Sequence, residues 1–166
     1  MHTTDSWSGS DDERESRPLD DSGLPHGPSV SPQLARSIRA THAAWERVAE
    51  EFGLLTDAEV CGILGITPTN SESLSVLRST GKIIAVTRGR SIRYPGFQFD
   101  RARRIIHPVI EPLLKVARAN EWTSEDLTLW MIGPTTSFDE ENRPVDHVRE
   151  PEALLAAAHS HMEALW

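Results

Sequence analysis

The sequence predicts a mainly α-helical fold that contains one small β-hairpin and is preceded by a disordered acidic tail. Apolar residues recur at helical spacing along most of the chain from residue 32 onward. A short basic stretch around Gly89 interrupts that spacing and favours two short strands joined by a tight turn. Residues 1–31 carry few large apolar side chains, so they cannot bury enough surface to offset the entropy lost on ordering.

Length and composition favour a small soluble protein. A chain of 166 residues is expected to form one or two small domains. The first residues lack the basic start and apolar core of a signal peptide, and no apolar run reaches the roughly 18 to 20 residues that span a bilayer. Cys61 is the single cysteine, which excludes an internal disulfide. We therefore expect a cytoplasmic protein.

The charge of the chain is divided by region. The net charge is −8, but residues 32–107 hold eleven Lys and Arg against seven acids, which gives +4. Residues 1–31 hold two arginines against seven acids, which gives −5. Residues 108–166 hold four Lys and Arg against eleven acids, which gives −7. Positive charge is thus confined to the central segment, as expected if that segment binds phosphates.

A helix is predicted over residues 32–53. Ser31 and Pro32 suit its N-cap and first position, and Gly53 suits its end. Its apolar residues form one stripe: Leu34, Ile38, Trp45, Val48 and Phe52. This stripe is expected either to pack on the next domain or to pair with a second copy of the chain.

Residues 54–99 have the pattern of a winged helix-turn-helix. Thr56 and Glu59 form a capping box for a first helix, and the run from Gly65 to Pro68 forms a turn into a second helix that ends at Gly81. Strands are predicted at 83–86 and 91–94. This order predicts a DNA-binding module, and the alternative is an ordinary helical hairpin inside a core.

The polar face of the second helix and the basic hairpin are the predicted DNA contacts. Asn, Ser and Thr hydrogen-bond base edges, whereas Lys and Arg contact phosphates or enter the minor groove. The predicted contacts are Thr69, Asn70, Ser71, Ser73, Arg78, Lys82, Arg88, Arg90 and Arg93. A further basic cluster, Arg101, Arg103 and Arg104, either extends this surface or pairs with the acidic tail.

Residues 100–166 are predicted to form a small helical domain. A helix is expected from about 108 to 119, another from the Thr123 cap to the Gly133-Pro134 stop, a helical turn from Pro144, and a final helix from Pro151. This part contains no nucleophile motif, Gly-rich phosphate loop or zinc-ligand spacing, and its His159–His161 pair points two rings in different directions on a helix. We predict no enzymatic activity, no cofactor and no metal site.

The order of motifs in this part resembles the toxin-binding domain of the Xre/MbcA/ParS antitoxin family. The resemblance lies in the run Trp130 to Pro134, then Phe138-Asp139, then Arg143-Pro144-Val145-Asp146, and an Ala-rich final helix, and it covers roughly residues 97–166. The preceding segment resembles helix-turn-helix modules of the MerR or excisionase type. The resemblance implies an antitoxin of a type II toxin–antitoxin system that neutralises a RES-domain, NAD-consuming toxin and represses its own operon.

The toxin contacts that this resemblance implies are Trp130, Phe138, Arg143, Asp146, Met162 and Trp166. The implied partners are double-stranded DNA, the cognate toxin and a second copy of the chain. The alternative function is a transcription regulator or excisionase-like protein in which the C-terminal helices form a dimerisation domain. These two functions predict different surroundings for Met162 and Trp166, which would be exposed for a toxin or buried within the chain's own core or dimer.

Overall fold

The computed structural model describes residues 31–67, 71–138 and 142–163. All of the predicted tail except Ser31 lies outside them. Residues 32–166 form one compact unit. The fold is mainly α-helical with a small antiparallel sheet, as the sequence predicts. Its helices and strands are α1 (Pro32–Glu51), β1 (Leu54–Leu55), α2 (Asp57–Leu64), α3 (Ser71–Ser79), β2 (Val86–Arg88), β3 (Ser91–Pro95), β4 (Phe99–Asp100), β5 (Ile105–Ile106), α4 (Ile110–Ala119), α5 (Ser124–Ile132) and α6 (Pro151–Glu163).

Local signals in the sequence set several of the helix ends. The Thr56 side chain accepts a hydrogen bond from the Glu59 backbone N–H, and Glu59 bonds the Thr56 N–H in return. Thr123 and Asp126 form the same reciprocal pair at the start of α5. Gly65 adopts a left-handed conformation (φ 70°) at the end of α2. The predicted capping box at Thr56 and the turn at Gly65 are therefore confirmed.

The three-stranded sheet has the order β1-β3-β2, and both pairings are antiparallel. Leu55 pairs with Tyr94, and Thr87 pairs with Ile92. Gly89 takes a positive φ of 63° in the two-residue turn of the β2–β3 hairpin. The prediction of a strand over 83–86 was wrong in its position, because only Val86 of that stretch is in β2 and the two isoleucines before it are buried core residues.

The side chain of Gln98 explains why residues 83–85 do not join the sheet. Its side-chain amide accepts a hydrogen bond from the Ile84 N–H (2.7 Å) and donates to the Ile84 and Pro95 carbonyls (2.9 and 3.0 Å). A fully buried amide thus replaces the strand partner that Ile84 would otherwise need. An isolated Gln in the sequence gives no indication of this role.

The buried apolar residues form two clusters. One cluster joins α2, α3 and the sheet through Leu55, Val60, Leu74, Ile83, Tyr94 and Phe99. The other joins α1 to α4, α5 and α6, and it includes Trp45, Val48, Leu113, Met131, Leu154 and Met162. The apolar stripe of α1 therefore packs, at Trp45 and Val48, with the C-terminal helices.

The described helices include none that is both long and apolar enough to cross a membrane.

Candidate nucleic-acid interface

Helix α3 presents a mixed face to solvent. Leu74 is buried and anchors the helix to α2, while Glu72, Ser75 and Ser79 are exposed. Val76 is 55% exposed on the same helix. An exposed valine beside serines offers an apolar contact for a thymine methyl group next to hydroxyls that can bond base edges. Val76 was not among the predicted contacts, because a valine in a helix is ordinarily a core residue.

The predicted base contacts at the start of α3 are only partly described. Thr69 and Asn70 lie outside the described residues. The backbone of Ser71 begins α3, and Ser73 is half-buried.

Arg78, another predicted DNA contact, is held inside the unit. Its guanidinium donates a hydrogen bond to the Tyr94 hydroxyl and lies 3.7 Å from an Asp57 carboxylate oxygen. Burial raises the pKa of Tyr94 to about 12, an effect that the Arg78 hydrogen bond opposes and Asp57 reinforces. The ring is fully buried, so this contact ties the last turn of α3 to β3 and to the start of α2.

The arginines of the hairpin differ in their surroundings. Arg90 is exposed in the turn, as is Lys82 before β2. The Arg88 guanidinium lies over the Trp45 ring, 4.5 Å from its centroid, and the Arg93 side chain donates to the neighbouring Ile92 carbonyl at 3.1 Å. Arg90 and Lys82 are therefore the two predicted cationic contacts that are exposed and form no direct ion pair within the described residues.

The hairpin also contacts the C-terminal helices. The Thr87 N–H donates to the Glu125 carboxylate in the first turn of α5 at 2.9 Å. Together with Arg88 on Trp45, this bond holds β2 against both α1 and α5. This bond could not be predicted from the sequence, since the two residues are 38 positions apart.

Arg101, Arg103 and Arg104 surround the tip of the β4–β5 hairpin, and all three are exposed. Arg104 has a positive φ of 58°, and its guanidinium donates to the Gly62 and Ile63 carbonyls at 3.2 and 3.3 Å. These carbonyls belong to the last turn of α2, where a cation is favoured by the helix dipole. Arg104 thus holds the end of α2 in place, while Arg101 is exposed to solvent.

The residues implied as toxin contacts lie largely within the fold. Trp130 is buried, and Met162 has no exposed surface. The Phe138 ring stacks on the His147 ring with centroids 3.9 Å apart. Trp166 lies outside the described residues.

Arg143 and Asp146 form an ion-pair network with α1. The Arg143 guanidinium donates two hydrogen bonds to Glu51, at 2.7 and 2.8 Å, and two to Asp146, at 3.2 and 3.0 Å. These bonds hold the pKa of both carboxyls below their ordinary values, and they raise the pKa of Arg143. The Arg-Pro turn therefore fastens the end of α1 to the segment before α6.

An aromatic groove of about 700 Å³ runs along the C-terminal helices. Its walls include Trp122, Leu129, Trp130 and His161. The His161 ring meets Trp122 edge-on at 5.6 Å and lies tilted over Trp130 at 6.0 Å. Glu121 and Asp126 add negative charge to the rim.

No protein-family model matches the chain, and no curated protein matches it. A solved structure that is similar to it is the NMR structure of Rv2175c, with a TM-score of 0.56 and 15% sequence identity. The match covers 70% of this chain and 83% of that chain. At this identity the likeness concerns the fold alone.

Proposed function

We propose that this chain is a DNA-binding protein in which α2, α3 and the β2–β3 hairpin act as a winged helix-turn-helix. In this arrangement α3 enters a major groove and the hairpin follows the adjacent backbone. The observation that carries the proposal is the packing of α3 and the hairpin on one small core, together with the exposure of Arg90 and Lys82. The net charge of +4 over residues 32–107 supports it.

The position of β1 adds support to this proposal. β1 lies between α1 and α2 in the sequence, yet it pairs with β3 at the edge of the sheet. The sheet therefore receives one strand from before the helix pair and two from after it. The pairing of β1 with β3 therefore restrains the hairpin relative to α3. Such a restraint is needed if the hairpin and α3 are to contact one DNA surface together.

Binding to double-stranded DNA tests the proposal directly. Fluorescence anisotropy of a 30-bp random duplex would be measured over a series of salt concentrations, followed by selection of preferred sequences from a random library. We expect Arg90→Ala and Lys82→Ala each to weaken binding and to lower the salt slope by about 1 per lost phosphate contact. The matched control is Lys115→Ala on α4, whose side chain is exposed and paired with Glu111.

Two results would reject DNA binding as the function. One is the absence of a complex with the wild-type chain at low salt. The other is an equal loss in Lys115→Ala and Arg90→Ala, because that would indicate a general charge effect without a defined surface.

We propose that the DNA-binding form is a homodimer that pairs through the first half of α1. Leu34 and Ile38 are 52% and 56% exposed on this half, although they continue the stripe that is buried at Trp45 and Val48. An antiparallel pair of α1 helices that crosses near Leu34 and Ile38 would cover both side chains.

Light scattering coupled to gel filtration measures this assembly. We expect Ile38→Glu to give a monomer and Ile92→Glu, a change at another exposed isoleucine on β3, to leave the dimer intact. A wild-type chain that is monomeric at about 100 µM, well above the micromolar range of a specific weak dimer, would reject this proposal.

Toxin neutralisation is the second candidate function. The observation that favours it is the aromatic groove, because Trp-lined surfaces are common centres of protein interfaces and the acidic rim would complement a basic partner. Among the implied contacts, Trp130 lines this groove, whereas Met162 and the Arg143–Asp146 pair serve the chain's own core. Co-expression with the product of the neighbouring gene, followed by affinity purification and a growth assay, tests this function. Absence of both a complex and growth rescue would reject it.

A further inference from the structure

A cavity of about 540 Å³ lies between the β4–β5 hairpin and the start of α6. Its polar wall is formed by Asp100, Arg103, His107 and Arg149. Its apolar wall includes Val109 and Val148. This volume is within the range of about 300–1,000 Å³ that is typical of small-molecule sites.

The polar wall has an excess of positive charge. Asp100 accepts a hydrogen bond from the Arg103 N–H at 3.0 Å, and its carboxylate lies 3.9 Å from the Arg103 guanidinium. Arg149 makes no ion pair or hydrogen bond within the described part of the chain. One carboxylate therefore faces two guanidinium groups, and it interacts with the charge of Arg149 without forming a direct ion pair.

His107 is the buried member of the wall. It is 8% exposed, and its backbone is fixed by a bond from its N–H to the Gln98 carbonyl at 2.8 Å. Its imidazole has no hydrogen-bond partner among residues 31–67, 71–138 and 142–163. Desolvation lowers its pKa, and the two arginines lower it further while Asp100 opposes them. The His107 ring nitrogens are not sealed from solvent, so they are accessible to an occupant of the cavity.

We propose that this cavity binds a small organic anion, namely a carboxylate or phosphate group on a compact apolar body. The anionic group would lie between Arg103 and Arg149 and accept a hydrogen bond from the His107 ring. The apolar body would lie against Val109 and Val148. An inorganic ion alone would leave most of the volume and the whole apolar wall without contacts.

The same hairpin carries Arg104, whose guanidinium bonds the last turn of α2. An occupant would therefore lie against the segment that fixes the first helix of the DNA-binding unit. The inference of a binding site stands without the proposed function, since it depends only on the walls of the cavity.

NMR titration of the full chain tests the proposal, with benzoate as the probe and the His107 ring and Val148 methyl signals as the readout. Benzamide is the uncharged control of the same shape, and inorganic phosphate and a 20-bp duplex form two further arms. We expect saturable shifts with benzoate at millimolar concentration and at least about tenfold weaker binding of benzamide, which is the effect of losing one charge-assisted contact. Inorganic phosphate should bind more weakly than benzoate and compete with it.

Two variants give the site its residue-level test. Arg149→Gln, at an exposed position, should weaken benzoate about tenfold. Arg36→Gln, an equally exposed change on α1, should have no effect. Unchanged binding in Arg149→Gln, equal binding of benzamide, or no saturable shift with benzoate would each overturn the proposal. If the duplex shifts the His107 signals and benzoate does not, the cavity belongs to the DNA interface and the small-anion site is excluded.

Discussion

The Arg88 guanidinium lies over the Trp45 indole, 4.5 Å from the ring centroid, and this contact joins the hairpin to α1. The pair brings a cation of the basic surface against a residue of the helical core. Its geometry is that of a cation–π interaction, which contributes about 0.5–1 kcal/mol at partly exposed sites. Arg88 therefore has a role in positioning the hairpin that the neighbouring Arg90 does not share.

This difference predicts separate effects for two adjacent arginines. Arg88→Met keeps an unbranched side chain over Trp45 and removes the charge, so we expect it to lower the free energy of unfolding by about 0.5–1 kcal/mol. Arg90→Met removes an exposed charge, so we expect no effect on stability. We expect it to lower the salt-dependent DNA affinity more than Arg88→Met does. Urea unfolding and DNA anisotropy on the same samples measure both quantities. The opposite order in either assay would contradict this assignment.

The Arg143 network predicts a pH-dependent stability. The folded-state pKa values of Glu51 and Asp146 are lowered, chiefly by hydrogen bonds from Arg143. Groups with lowered pKa contribute stability above their ordinary pKa of about 4, and lose it as the pH falls through the lower, folded-state pKa. We expect Arg143→Gln to lower the free energy of unfolding by about 1 kcal/mol at pH 7, a value discounted for the partial exposure of both carboxylates. The loss should be smaller at pH 3.

Urea unfolding at several pH values between 7 and 3 measures that dependence. Glu50→Gln is the matched control, because Glu50 is adjacent to Glu51 on α1 and is exposed. A cost for Arg143→Gln that stays constant over this pH range would indicate lost packing on Phe52, 5.9 Å from the guanidinium, instead of a lost ion pair.

Gly96 permits a close approach of two chain segments. A β-carbon at Gly96 would lie 1.9 Å from the Phe52 carbonyl oxygen, and the Gly96 N–H bonds the Gly53 carbonyl at 3.0 Å. We expect Gly96→Ala to destabilise the protein by about 3 kcal/mol or more, because the clash is with backbone that cannot rotate away. Gly62→Ala, in α2 with open space around it, should instead stabilise by about 0.5–1 kcal/mol. Thermal unfolding of both variants measures whether the first lowers the melting temperature and the second raises it.

Arg104 combines a left-handed backbone with two hydrogen bonds to the end of α2. Replacing it by Ala or by Gly removes the same guanidinium, but only Gly adopts a positive φ without a steric penalty. We therefore expect Arg104→Gly to be more stable than Arg104→Ala by about 1 kcal/mol. Equal midpoints for the two variants in urea would show that the backbone at this position relaxes when the side chain is lost.

Helix ends and turns were accessible from the sequence because their signals are local. Thr56 with Glu59, Gly65 and Gly89 each act within a few residues, and the structure confirms them. The register of the first hairpin strand was not accessible, because the buried Gln98 amide draws Ile84 out of the sheet from 14 residues away.

The sequence distinguished a region of positive charge more clearly than it distinguished individual contact residues. The sequence indicated a basic central unit, and Arg90 and Lys82 are exposed there as a phosphate contact requires. It could not separate these residues from Arg78, which bonds Tyr94, or from Arg88, which lies on Trp45. The sequence does not show whether the partner of a charged side chain is a nucleic acid or another residue of the same fold.

The sequence by itself determined the mainly helical class, the helix caps and the division of charge, because these depend on neighbouring residues or on simple sums. Only the tertiary structure decided that α1 packs with the C-terminal helices, that Arg143 bonds Glu51, and that His107 and Arg149 meet at one cavity. Those relationships join residues that are distant in the chain. Their energies arise from packing and desolvation, which exist only once the chain has folded.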